Sequence, residues 1–479
     1  MQEFVAKPSL LIFVVAYFVI LIGMGIYCSS KVKNSEDYIL AGKGLTPIIL
    51  IGTFLATYVG NGTISGGGNS LAYTYGIWPG IFFFIPAVGA IIVLFALSGK
   101  VREAGVCTLA ELLEKKYGSF AHVVSGGIIA LAMISICAYQ YKGLAFVLNV
   151  TTGMDIKIGI IIAAVLIIFL ACSGGLKSVA STDAFSAFVM LIGILCATPF
   201  IVRYAGGWNH VIASAKANDP QSLTLTGGQT AYGFLACYFP LFFMTCGDQN
   251  MYQRVIAGKD NKTMKWGFLG WFLGVMIVMP LVAVIAFCAK SIFGTNIKAG
   301  MAFMSTTTIC PTVIGGLLLA ASTAFIVTTG DSYLLSGATN IAYDIYGTIV
   351  NPRATDEQKM KVTKITVVAA GIFAYILIQF FPSVLAIQYW SYTINGAGIT
   401  PALLGALCWK KVTRSGGISS MFVGTMMTIV WEVLGHPFGI ATILVAVPCS
   451  FLTLIVVSLL TQKENAAVPA AAVSPALSK

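Results

Sequence analysis

Long apolar runs alternate with short polar intervals along nearly the whole chain. A helix needs about 20 apolar residues to cross the hydrocarbon core of a bilayer. On that criterion thirteen stretches read as spans, at approximately 9–28, 46–75, 78–98, 121–150, 157–173, 182–204, 228–246, 265–290, 311–346, 360–381, 384–409, 416–434 and 440–460. The pattern therefore predicts an all-α polytopic membrane protein with thirteen transmembrane helices. The second stretch departs from it. From Ala56 to Gly68 it reads Ala-Thr-Tyr-Val-Gly-Asn-Gly-Thr-Ile-Ser-Gly-Gly-Gly, with five glycines and several hydroxyls. Glycine disfavours a helix by roughly 1 kcal/mol relative to alanine, and in hydrocarbon every freed backbone group must find another partner. The stretch is either a close helix-packing face or a deliberately broken helix lining a polar site.

Composition changes this picture little. With 58% apolar and 9% charged residues, the chain is far from a soluble globule, whose charged fraction is nearer a quarter. The net charge of +11 lies in short loops and does not point to nucleic acid. An outward N-terminus places 21 of the 28 basic residues inside and six outside, with Lys142 alone within a span. That bias fits thirteen crossings of a cell membrane, with the N-terminus outside and the C-terminus cytoplasmic. The eleven cysteines form no C-x-x-C pair and read as small buried residues rather than a metal cluster. His122, His210 and His436 lie far apart, which leaves no metal triad or Ser-His-Asp relay. No ATP-binding motif is present. The expected division is a first peripheral helix and loop (1–45), two large helical units (46–204 and 228–409) around an outer loop (205–227), two peripheral helices (410–462) and a disordered tail (463–479).

Five motifs in order then resemble the sodium:solute symporter family. They are the loop Ser35 to Lys43, in which Glu36 is a variable position; the turn Gly174, Gly175, Lys177, Val179, Thr182 and Asp183; and Gln253, Arg254 and Ala257. Further on come Asp331, Ser332 and Leu334 to Ser336 with Asp344 to Tyr346, and then Pro401, Leu403 to Gly405, Trp409 to Lys411, Thr413 and Gly416. The resemblance implies a LeuT-like core of two inverted five-helix repeats, spans two to six and seven to eleven, with the first helix of each repeat broken. Span seven answers that requirement with Pro240 mid-segment and Gly247 at its exit.

The resemblance also implies a site. Sodium is a hard cation that takes oxygen ligands. The family pattern carries these onto the carbonyls of Thr57, Gly60 and Phe325 and the hydroxyls of Thr328 and Thr329, where ordinary back-bonding to the preceding turn is the alternative role for the two threonines. Asp183, Asp331 and Ser332 in the inner half suggest a second cation site or release path; capping by Asp183 and a helix contact by Asp331 are the alternative. Candidates to face the solute are Asn61, Thr63, Ser65, Gln140, Lys142, Tyr238 and Phe239, with Trp78 as a further gate aromatic. Lys142 either snorkels to the interface or anchors a substrate carboxylate. The run from Val59 looks somewhat like the glycine-rich first core helix of the choline-transporting branch, but a buried lysine would repel a cation.

The expected function is sodium-coupled uptake of a small organic solute, carboxylate-bearing or zwitterionic, by alternating access. The partners are that solute and the lipid bilayer, with no nucleic acid and no obligate protein partner. A proton-coupled or uncoupled carrier, with Asp183, Asp331 and Lys142 as relay, and an intramembrane sensor are the alternatives.

Overall fold

Helix starts in the computed structural model fall on the capping residues that the polar intervals supply. Asp155, Thr230, Asp260, Thr355, Ser383 and Thr413 each accept a backbone N–H from the first turn of the helix they precede, which satisfies a donor that would otherwise be orphaned. The structure describes residues 4–29 and 40–462, without the side chains of Ser29, Ser173 to Gly175 and Lys177. The expected tail and the Ser35 end of the first loop motif lie outside the described residues.

The described residues are mainly helical, with no strand. The principal helices are α1 (Leu11–Ser29), α2 (Pro47–Tyr58), α3 (Gly67–Thr74), α4 (Phe84–Glu103), α5 (Leu109–Tyr117), α6 (Ser119–Thr152), α7 (Ile156–Tyr204), α8 (Ala231–Cys246), α9 (Gln249–Ala257) and α10 (Asn261–Phe293). They continue with α11 (Thr312–Thr339), α12 (Asp356–Ile378), α13 (Val384–Gly398), α14 (Thr400–Cys408), α15 (Arg414–Val433) and α16 (Ile443–Leu460). Each of the thirteen apolar stretches is helical. Among the described residues eight helices are long and apolar enough to cross a membrane, and the bent pair α2–α3 makes a ninth. The other four stretches are shorter, interrupted or less apolar, so the count of thirteen crossings remains an expectation.

α7 carries two apolar arms, Ile156–Cys172 and Ser178–Tyr204. A straight helix would hold Phe169 and Thr182 about 20 Å apart at 1.5 Å per residue. Instead both line one cleft with Asp331, and Ile167 packs against the neighbouring Gly330. The two arms of α7 therefore meet the same turn of α11.

α11 runs through the centre of the bundle, packed by α6 and both arms of α7. α2 is held by a seam of small residues. A Cβ added to Gly267, Gly270 or Gly274 of α10 would lie within 2.8 Å of Leu50, Ile51 or Leu55 of α2, so the absent side chains set the close approach. Trp271, on the same face, stacks on Phe54 at 4.9 Å and meets Tyr58 edge-on at 5.1 Å. Gly52 of α2 faces Ala184 of α7 in the same way, at 2.4 Å for its missing Cβ. This clamp fixes the first half of the interrupted span and leaves its second half to turn away.

Loops that the charge pattern assigns to one side meet only one another in these contacts. Lys7 donates its backbone N–H to Val150 and its ammonium to the Cys310 carbonyl. At the other end Arg102 donates to the carbonyls of Val255 and Gly258, and Lys100 to that of Leu407.

Candidate functional site: two broken helices around a polar centre

The glycine-rich stretch breaks its helix. α2 ends at Tyr58, Gly62–Gly66 forms a π-helical turn, and α3 leaves at 45° to α2. The second break lies at Gly247 and Asp248, between α8 and α9, and not at Pro240, which sits inside the continuous α8. A proline within a membrane helix is tolerated where the freed carbonyl is satisfied nearby. The true break needs the small residue: a Cβ on Gly247 would lie 2.4 Å from Thr400 Oγ1. Asp248 then caps α9 through the Asn250 N–H at 2.9 Å and accepts the Tyr333 hydroxyl at 2.6 Å.

At the first break the Thr329 hydroxyl of α11 reaches the carbonyl oxygens of Ala56 at 3.2 Å and Thr57 at 3.4 Å. A Cβ on Gly60 would sit 2.3 Å from Thr329 Oγ1, so the missing side chain makes this approach possible. Ala56 enters the oxygen set one residue before the position expected from sequence. The Gly60 carbonyl is already shared by the N–H groups of Thr63 and Ile64. Thr328 returns its hydroxyl to Ala324 of its own helix at 2.9 Å, the back-bonding alternative, and Phe325 is fully buried one turn before Thr329.

Asp183 is in the interior of a helix and caps nothing. Its Oδ2 accepts from Thr53 at 2.5 Å, Thr57 at 3.2 Å and Arg254 Nη2 at 3.1 Å. Arg254 is completely buried, and its guanidinium also donates to Thr53 Oγ1 at 2.8 Å, to the Asn250 carbonyl at 3.0 Å and to Ser332 Oγ at 3.2 Å. The cation between Asp183 and Ser332 is thus this side chain. Isolated charges at such depth are costly unless paired, and the pair ties α9 to α2, α7 and α11. Asp331 lines the cleft beside α1 with Ser178 and Thr182, lies near enough to Asp183 for the two carboxylates to interact, and contacts the Ser332 hydroxyl. Its Oδ1 has no hydrogen-bond partner among the described residues.

The solute candidates divide similarly. Asn61 donates its amide to the Tyr139 carbonyl at 2.6 Å, and Gln140 Oε1 accepts the Asn61 backbone N–H at 3.2 Å. Gln388 Oε1 accepts the Gly67 N–H at 3.1 Å, and Tyr139 and Tyr392 bring their hydroxyls within 3.4 Å of each other. Asn61 Oδ1, Gln140 Nε2, Gln388 Nε2 and Ser65 Oγ are buried polar atoms without a partner among the described residues, which marks a region built to meet something polar. Thr63 is buried in the same turn. Tyr238 lies away from the break, donating to the Pro79 carbonyl at 2.9 Å.

Two further candidates are not at the break. Phe239 is exposed on the outer surface of α8, edge-on to Phe243. Lys142 points its ammonium at the loop carbonyls of Pro382 and Phe381, at 3.0 and 3.4 Å, while its neighbour Gly143 takes the face against Asn61. One residue along a helix rotates the side chain by about 100°, which separates the two.

Sequence reading missed Asp248, Gln388, Tyr139 and Tyr392, and it placed Arg254 in a cytoplasmic loop. A glycine followed at once by an acid at the end of an apolar run was the available signal for Asp248.

Comparison with known proteins supplies the frame for this geometry. The model of the sodium:solute symporter family matches residues 38–424. The osmoregulated proline transporter OpuE of Bacillus subtilis (strain 168) is 22% identical over 466 residues, covering 93% of this chain and 94% of that protein. A sodium/proline symporter of Staphylococcus aureus (strain JH9) is 26% identical over 499 residues, covering 97% and 95%. Among solved structures, a substrate-bound, outward-open Na+-coupled sialic acid symporter superposes with a TM-score of 0.78 at 18% identity, over 94% of this chain and 98% of that one. A nucleobase-cation-symport-1 family transporter in a closed conformation follows at 0.59 and 10% identity, covering 91% and 96%. The fold is thus that of LeuT-like transporters, and the family and these relatives are transporters, not enzymes. Matched over most of its length, the chain belongs to the sodium:solute symporter family.

Proposed function

We propose that this protein uses the inward movement of sodium to take up a small zwitterionic or carboxylate-bearing solute by alternating access. The observation that carries the reading is Thr329 bridging from α11 to the open carbonyls of Ala56 and Thr57 at the break. A hydroxyl and two carbonyls held by opposite helices are the oxygen donors a hard monovalent cation takes. Gly60 leaves the space in which they meet, and Thr328 and Phe325 complete the proposed ion site after a small rotation of α11.

The solute belongs on the other side of the break. Gln140 Nε2 and Gln388 Nε2 are unpaired donors and Asn61 Oδ1 an unpaired acceptor, and the N-terminal end of a half-helix favours a carboxylate. Relatives named as proline transporters support a zwitterion of that size. Lys142 acts here as a tether of the outer loop rather than a substrate anchor. Arg254 supplies the charge opposite Asp183, which leaves Asp331 as the acidic group for a second cation. The proposed orientation keeps the N-terminus outside, the C-terminus cytoplasmic and thirteen crossings.

A potential of ~100 mV contributes about 2.3 kcal/mol per charge, and a tenfold sodium gradient about 1.4 kcal/mol. One coupled sodium would then sustain roughly 500-fold accumulation. The test is uptake into vesicles holding the purified protein, with proline as first probe followed by other zwitterions and carboxylates. Uptake should require an inward sodium gradient. Equal uptake with potassium in place of sodium, or uptake driven by a pH gradient alone, refutes the proposal.

A further inference from the structure

At the end opposite Lys7, a cleft of about 550 Å³ opens on the surface between the start of α2 and the start of α10. Its walls include Thr46, Pro47, Lys259, Lys262, Thr263 and Trp266. We propose that this cleft binds the phosphate headgroup of an anionic phospholipid, with an acyl chain lying along α10.

Three features point to this ligand. The first is charge. Lys259 and Lys262 are exposed and form no ion pair among the described residues, and Lys265 stands beside them. Asp260, the exposed acid of the cleft, caps the helix through its Oδ1, which accepts the Thr263 N–H at 2.7 Å, and offsets part of the charge of Lys259 alone. The second is the track below it. Trp266, Leu269, Leu273, Met276 and Ile277 are all exposed and follow one face at helical spacing. From Trp266 to Ile277 that stripe is about 16 Å long at 1.5 Å per residue, roughly half of the ~30 Å hydrocarbon core and so the depth of one leaflet. A free phosphate would use the lysines and leave this track without a role. The third is order along the membrane normal. Charge at Lys262, an aromatic ring one turn deeper at Trp266 and aliphatic side chains beyond reproduce the sequence of headgroup, interface and acyl region.

The position matters for transport. Leu45 and Gly258 form the single isolated bridge among the described residues, with the Leu45 N–H on Ala257 at 3.2 Å and the Lys259 N–H on Leu45 at 3.3 Å. That bridge joins the inner ends of the two interrupted spans, and the cleft borders both of its strands of chain. A headgroup between Thr46 and Lys259 would brace it.

The experiment is native mass spectrometry of the full chain with phosphatidylglycerol and phosphatidylcholine of identical acyl chains, and with inorganic phosphate as competitor. The wild type should retain phosphatidylglycerol preferentially. The double variant Lys259→Gln/Lys262→Gln should lose roughly 30-fold of that preference, about fivefold per lysine. A control pair at another loop of the same end, Lys410→Gln/Lys411→Gln, should keep it. Equal retention of both lipids by the wild type, an unchanged preference in the cleft variant, or an equal loss in the control pair would each overturn the proposal. Displacement of the lipid by millimolar inorganic phosphate would assign the lysines to the free anion and overturn it as well.

Discussion

Replacing Gly60 with alanine tests the ion site at its tightest point. Gly60 is not among the glycines with positive φ, so alanine suits its backbone and any damage must come from contact. The added Cβ would stand 2.3 Å from Thr329 Oγ1, 2.7 Å from Cγ2 and 2.8 Å from Cβ. Ordinary contact begins at 3.4 Å, so the two helices must part locally by about 1.1 Å, the difference between 3.4 and 2.3 Å. Thr329 cannot simply swing aside, because all three of its side-chain atoms lie inside that limit. Overpacking of this kind costs typically 1–3 kcal/mol, and if it falls on the ion-bound state the sodium response weakens about 5- to 150-fold. The assay is the sodium concentration for half-maximal uptake in vesicles, together with the melting temperature of the purified protein. Gly99→Ala is the control, since a Cβ there meets nothing within 4 Å; it should leave sodium dependence unchanged. A Gly60→Ala protein with wild-type sodium dependence and stability would refute the reasoning.

Three other perturbations separate the remaining roles. Arg254→Leu leaves Asp183 buried and uncompensated and should cost about 3–5 kcal/mol, whereas Arg254→Leu/Asp183→Asn should recover much of it in thermal unfolding; additive losses would show that the pair is not coupled. Thr329→Ala removes a bond between helices and Thr328→Ala one within a helix, so without sodium the first should destabilise by about 1 kcal/mol more, a difference that a denaturation comparison measures directly. Lys142→Gln should leave solute affinity within about twofold, since its ammonium serves the loop at Phe381 and Pro382 and a surface tether contributes little; a tenfold loss in equilibrium binding would restore the substrate-anchor role.

The parts of this fold legible in sequence were those written locally. Apolar runs give the helices, and capping residues with glycines give their ends. The five-glycine stretch announced its own break because four of its glycines sit where a Cβ would collide with Thr329, Tyr392, Gln388 or Phe83. The second break was misplaced because Pro240 is the stronger local signal, yet what opens the chain is the contact of Gly247 with Thr400, more than 150 residues away. Arg254 shows the same limit. In sequence it belongs to a run of loop cations, Lys259, Lys262 and Lys265, and only the partner Asp183 on a distant helix draws it inside. Lys142 was ambiguous because the pattern fixes which face of a helix a residue occupies only when the neighbouring helices are known.

The bare backbone of the first break has an evolutionary consequence. At Gly60, Gly62, Gly66 and Gly67 an added methyl would meet Thr329, Tyr392, Gln388 and Phe83 at 2.7 Å or less, so a side chain at any of the four requires its neighbour to move as well. A wall made of main chain cannot be re-cut to fit a new cargo. Change falls more easily on the facing side chains, Tyr139, Gln140, Gln388 and Tyr392, none of which bonds the proposed ion donors, the Ala56 and Thr57 carbonyls and the Thr329 hydroxyl. A lineage can in this way change what it carries while keeping what drives it.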